Sequence, residues 1–113
     1  MKADSISIES EWVGERLVVH IDGNLDVHNV HIIEQDLMNL VKIAKTHIIY
    51  DLEKVNYISS AGLRVLVTSL RLCQDSGIQI SICSLKPAVE RVFDIISMKT
   101  LFQIHPDLKT ALL

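Results

Sequence analysis

The sequence predicts an α/β fold: a mixed central β-sheet, begun by an N-terminal hairpin and packed with about four helices. Stretches of period two and stretches of helical period follow one another in the order ββαβαβα, with a short tail. Strand–helix–strand alternation of this kind builds parallel strands joined by right-handed crossovers. The chain has 113 residues, 49% of them hydrophobic, which suits one domain over residues 1–113 with a substantial core. Aromatics are only 4%, so that core is mainly Ile, Leu and Val, a composition suited to buried parallel strands and the helices that cover them.

Each element has its own signal. Ser5 to Glu9 alternates, with Ile6 and Ile8 on one side, and predicts a short half-exposed strand. Val13-Gly14-Glu15 is a turn signal, and Arg16 to Asp22 is a second strand with Leu17, Val19 and Ile21 on one side. Asp22 to Asp26 breaks the pattern. Val30, Ile33, Leu37, Leu40, Val41 and Ala44 then define an amphipathic helix over about residues 28–44. His47 to Leu52 is a short apolar strand. Leu63, Leu66, Val67, Leu70 and Cys73 define the next helix, which stops near Ser76-Gly77. Ile78, Ile80 and Ile82 alternate as a strand. Pro87 suits a helix start, and Val89, Val92, Phe93 and Ile96 form the buried stripe of that helix. Leu101 to His105 reads as a last short strand and Asp107–Leu112 as a closing helical turn.

Bulk properties narrow the function. The formal net charge is −3, with no Lys/Arg run and no aromatic–basic interleaving, so the footprint of a nucleic-acid binder is absent. Cys73 and Cys83 form no Cys-x-x-Cys pair and read as buried thiols in a reducing compartment. The N-terminus is not that of a signal peptide, and no apolar run reaches the length of a membrane span. A cytoplasmic protein with no direct membrane or nucleic-acid partner is therefore expected.

Catalysis finds little support. No Gly-x-Gly-x-x-Gly, Walker-type or Gly-x-Ser-x-Gly motif occurs. His28 and His31, i and i+3 after Asp26, resemble a weak metal pair but lack a third ligand and read as exposed first-turn residues. His20 reads as an ordinary sheet residue. Asp51 ends a central strand, like the acceptor of a response-regulator receiver, but the acidic pair and lysine of that fold are missing. Its expected role is to bind loop backbone groups or cap its own strand end. No catalytic residue, metal or cofactor is expected.

The densest signal is Tyr57-Ile58-Ser59-Ser60-Ala61-Gly62-Leu63, where a serine pair opens an apolar helix. A capping serine is worth about 1 kcal/mol. Ala61-Gly62 adds something a cap does not need, since Gly in a first turn costs helix stability, while small residues admit close approach of another surface. An exposed serine at a positive helix end also suits a phosphate, which the dipole would stabilise. Arg64, Thr68, Arg71 and Asp75 follow on one face, either as a solvated stripe or as a docking surface. On these grounds a phospho-switch and a plain cap stand level. Loops at the carboxyl ends of parallel strands usually carry function, and here those are Gly23–Asp26 and Asn56–Ser60.

At these residues the chain resembles the anti-sigma factor antagonists of the STAS-domain family. The resemblance runs through Val19-His20-Ile21-Asp22-Gly23-Asn24-Leu25-Asp26, Tyr50-Asp51-Leu52 with Val55, and Tyr57 to Leu63. It continues in Gly77 to Ile80, Leu85-Lys86-Pro87-Ala88-Val89, Asp107 and Ala111-Leu112-Leu113. It implies a STAS-like domain that works by partner switching. The unmodified form would bind an anti-sigma factor that is also a serine kinase. ATP-dependent phosphorylation by that kinase would release it, and a metal-dependent serine phosphatase would reset the cycle. The family pattern Asp-Ser-Ser/Thr-Gly-Leu, set on Gly62-Leu63, puts the acceptor at Ser60, with Ser59 as the alternative. Ser59 stands where the family most often has Asp, which removes a negative charge beside the acceptor. The partner surface implied comprises Gly23, Asn24, Asp26, Ser59, Ala61, Gly62 and Arg64. Some relatives are never phosphorylated, so a structural subunit, for example of a lipid transporter, is the alternative.

Overall fold

A computed structural model describes residues 6–113. Five strands form one sheet in the order β1-β2-β3-β4-β5. They are β1 (Ser7–Val13), β2 (Arg16–Asp22), β3 (His47–Lys54), β4 (Gln79–Cys83) and β5 (Gln103–His105). β1 is antiparallel to β2, and the other neighbours are parallel. The helices are α1 (Val30–Ile43), α2 (Ser60–Ser76), α3 (Pro87–Ile95) and α4 (Leu108–Ala111), with a 3-10 turn at Met98–Thr100.

Spatial order equals sequence order, so each of the three crossovers steps one strand in the same direction. A right-handed crossover that always steps the same way places its helix on the same face. The main core accordingly lies on one side of the sheet. Leu17, Val19 and Ile21 of β2, Ile48, Tyr50 and Leu52 of β3, and Ile80 and Ile82 of β4 supply its sheet face. The buried stripes of α1, α2 and α3 cover them, with Val30, Ile33, Leu37 and Val41 in α1. Tyr50 brings a polar atom into this layer. Its hydroxyl donates to Ser69 Oγ at 2.8 Å, and Ser69 in turn donates to the Val65 carbonyl at 3.1 Å, so the pair is satisfied. The opposite face has a much smaller cluster, Val18, Ile49, Cys83 and Ala111, roofed among the described residues by α4 and Leu112. Arg16 ties that roof down by donating to the Leu112 carbonyl. Burial pushes both thiols, Cys73 and Cys83, up to about 11, so neither is a thiolate at neutral pH.

The expected elements are present with shifted ends. β1 runs on to Val13, beyond the predicted Glu9, while the predicted first residue, Ser5, lies outside the described residues. Ser10 to Val13 lack alternation because an edge strand is exposed on both sides there. α1 starts at Val30 because His28 and Asn29 belong to a turn closed by Asp26. α3 stops at Ile95. Ile96, expected in its buried stripe, is 46% exposed, since Ser97 takes a left-handed conformation (φ 58°) and ends the helix. Leu101 is exposed and precedes β5, while Phe102 is buried with its ring centroid 6.4 Å from that of Phe93.

Candidate partner-binding site

The Gly23–Asp26 and Asn56–Ser60 loops leave the carboxyl ends of adjacent parallel strands, β2 and β3, and they continue to pair beyond the sheet. Gly23 N–H donates to the Lys54 carbonyl at 3.1 Å, Leu25 N–H to the Tyr57 carbonyl at 2.9 Å, and Ser59 N–H to the Leu25 carbonyl at 2.8 Å. Leu25 and Ile58 form a parallel bridge, and both side chains are buried. The two loops are therefore one stitched surface. The topology alone made them neighbours, but the ladder between them was not expected.

The two serines have different fates. Ser59 is the N-cap of α2: its Oγ accepts from Gly62 N–H at 3.3 Å and donates to the Leu25 carbonyl at 3.3 Å. It is half-buried and committed to both loops. Ser60, the first helical residue, is exposed. Ser59→Ala should cost about 1 kcal/mol of stability. The cost should appear as a lower denaturation midpoint without a change in cooperativity, measured by circular dichroism in urea.

Gly62 has a different reason from the one its sequence context suggested. It is buried, and the surface that approaches it is the chain's own loop. A Cβ there would lie 2.5 Å from the Leu25 carbonyl oxygen, 2.8 Å from Leu25 Cβ and 3.0 Å from Ile58 Cγ1. Ala61 is half-buried beside it and Arg64 is exposed one turn on.

On the other loop, Asp26 is a turn former. Its carboxylate accepts from the backbone N–H groups of His28 at 2.9 Å and Asn29 at 3.0 Å. Asn29 is buried and donates through Nδ2 to the Asn24 carbonyl at 3.2 Å, which fixes the loop from beneath. Asn24 and Gly23 are half-buried, and Gly23 has a positive φ of 127° that favours glycine. Two large apolar side chains that sequence reasoning passed over, Val27 and Tyr57, are 66% and 53% exposed on these loops. Lys86, just before α3, reaches Asn56 Oδ1 at 2.8 Å and braces the second loop from the β4 side.

His28 and His31 are exposed, and among the described residues no three His, Cys, Asp or Glu side chains gather as a metal set. Asp51 was expected to end its strand and bind loop backbone groups, but β3 runs on to Lys54. Asp51 therefore lies within the strand, and its Oδ1 accepts from the N–H of Glu53, another strand residue, at 3.1 Å. His20 is more than an ordinary sheet residue, because its ring touches two carboxylates. That contact needs strand register, which alternation does not supply. No helix among the described residues is long and apolar enough to cross a membrane.

Known proteins share this architecture. BtrV of Bordetella bronchiseptica, a candidate anti-sigma factor antagonist, is 34% identical over 89 residues, 78% of this chain and 76% of that protein. The anti-sigma F factor antagonist of Paenibacillus polymyxa is 27% identical over 103 residues, 90% of this chain and 86% of its own. The solved structure of SpoIIAA in its unphosphorylated form superposes with a TM-score of 0.77 at 20% identity, over 94% of this chain and 93% of that one. Its phosphorylated form, a Bacillus cell fate determinant, gives 0.71 at 20% identity, over 94% and 96%. The family model described as the STAS domain matches residues 7–111, with the hairpin, the three crossovers and both stitched loops inside it: this chain belongs to the STAS domain family.

Proposed function

We propose that residues 1–113 act as one STAS unit in partner switching, as an anti-sigma factor antagonist. The unmodified form binds an anti-sigma factor that is also a serine kinase. The kinase transfers the γ-phosphoryl of ATP to Ser60 Oγ, the hydroxyl proton leaves and ADP departs. The phosphorylated form then lets go, and a metal-dependent serine phosphatase restores it. The chain itself is the binder and the substrate, and the group-transfer chemistry belongs to its partners.

One observation carries this reading: Ser59 is used up as the cap while Ser60 stands exposed beside it, at a helix start, next to a second loop. A plain capping role would need only the first serine. The helix start is also where a phosphate is electrostatically favoured. On the two stitched loops and the first turn of α2, Asn24, Ala61 and Arg64 supply polar and small groups, and exposed Val27 and Tyr57 supply apolar area for a protein partner. Gly23, Asp26, Ser59 and Gly62 act from beneath by holding the two loops in register. The named antagonist function of the relatives agrees with this assignment.

Incubation with ATP and the cognate kinase, followed by mass spectrometry, tests it. Ser60→Ala should take up no phosphate and bind the kinase constitutively, while Ser59→Ala should still be modified. The reverse pattern would move the acceptor to Ser59. No phosphate on either serine would favour a constitutive structural subunit. Asn24→Lys and Arg64→Glu should each weaken binding by about tenfold or more, the scale of one or two lost contacts, with unchanged circular dichroism. Full affinity in both would move the partner to another face.

A further inference from the structure

On the face opposite the three crossover helices, Glu11 of β1, His20 of β2 and Asp51 of β3 form a line across three adjacent strands. His20 is level with Asp51 in the parallel register and with Glu9 in the antiparallel one. Its Nδ1 lies 2.7 Å from Asp51 Oδ2, and its Nε2 lies 2.7 Å from Glu11 Oε2. A neutral imidazole has one N–H and can satisfy only one of two carboxylates. An imidazolium donates to both. The geometry is therefore that of the protonated ring. Asp51 is buried and its other oxygen already takes Glu53 N–H, whereas the Glu11 side chain is 55% exposed and sits on an edge strand bonded to β2 alone.

We propose that Glu11, His20 and Asp51 form a proton-operated clasp that holds the edge strand β1 on the sheet. With the ring protonated, the clasp is closed. When the proton leaves, the remaining N–H stays with buried Asp51 and the Glu11 contact opens. β1 then keeps its ladder to β2, the packing of Ile8 on the main core and the Lys45–Trp12 contact, but loses its tie to β3 through His20. Burial of His20 works against its charge, but the hydrogen bonds and fields of Glu11 and Asp51 outweigh it, and its pKa is raised above 6.5. The stabilisation is thus complete below 6.5 and is lost as pH rises through the higher folded value.

The surrounding groups point the same way. His20 and Asp51 line a cleft on this face together with Glu9 from β1, Asp22 from β2, Glu53 from β3 and Asp107 before α4, against Lys54 and Lys109. The balance of these charges is negative and favours the imidazolium. The Cys83 thiol on β4 is pushed up to about 11 and stays neutral. His47 has the opposite sign: burial, then Arg16 and His105, lower its pKa, so it acts on the acid side of 6.5.

Nuclear magnetic resonance on the full chain tests the clasp. The His20 ring should titrate above 6.5, and Glu11→Gln, at an exposed position, should lower that midpoint. Amide hydrogen exchange, corrected for its intrinsic pH dependence, should show β1 opening about threefold to tenfold more readily at pH 8.5 than at pH 6, with β3 unchanged. His20→Gln should abolish the difference. A His20 midpoint at or below 6.5 would overturn the proposal, as would pH-independent β1 protection or a pH dependence that survives in His20→Gln.

Discussion

Phosphate on Ser60 is expected to lower affinity for the kinase partner by about two to four orders of magnitude while the protein stays folded. The modification adds about −1.5 to −2 charge at pH 7. In the free protein that charge sits at the exposed first residue of α2, where the helix dipole and N–H groups accommodate it. In a close-packed interface it must be desolvated between half-buried Ala61 and the stitched Asn24–Asp26 loop. Burying an imperfectly paired charge there costs about 3–5 kcal/mol, and each 1.4 kcal/mol or so is tenfold in affinity. Calorimetry on the modified and unmodified forms, with circular dichroism on each, checks both halves. Equal affinities would remove the switch, and a lost helix signal would turn it into a folding effect.

Gly62→Ala is the substitution expected to damage the molecule most for its size. In an open helix this change stabilises by about 1 kcal/mol. Here the new methyl meets the Leu25 carbonyl oxygen at 2.5 Å, a backbone atom that already accepts from Ser59 N–H and Oγ. Either α2 or the Gly23–Asp26 loop must shift, and the Ser59 contacts with it. A loss of about 3 kcal/mol is expected, at the upper end of ordinary overpacking. That corresponds to a melting temperature lower by about 10 °C. Calorimetric melting and the protection of the Leu25 and Ser59 amides would report it. A variant as stable as the parent, with those amides still protected, would mean the loop has slack that the packing does not suggest.

Much of this was legible in the chain. The apolar run Leu17-Val18-Val19 with Ile21, and the stripe of Val30, Ile33, Leu37 and Val41, give the second strand and the first helix. A strand covered on both faces reads as a continuous apolar run, and a helix buried on one face reads at helical period. The serine pair was legible as a cap and an exposed neighbour, because a capping side chain must precede the first helical turn. The far half of β1 was not, since an edge strand with both faces in water imposes no pattern on Ser10 to Val13. Nor was the partner of Gly62. The sequence shows that something approaches that residue, but Leu25 is brought there only by the pairing of two loops. The His20 contacts were hidden for the same reason, as they depend on the register of three strands.

The Leu25 carbonyl acts mechanically as a rivet between the two loops. A platform pinned this way resists bending, so an added group on Ser60 is expected to be felt by the partner more than absorbed by the loops. For a switch of the kind proposed, the response is then all-or-none in each molecule. Its tempo belongs to the enzymes that write and erase the mark and to the lifetime of the complex, with no slow rearrangement of this chain in between. Loosening the rivet, as Gly62→Ala would, should make the signal leaky before it makes the protein unfold.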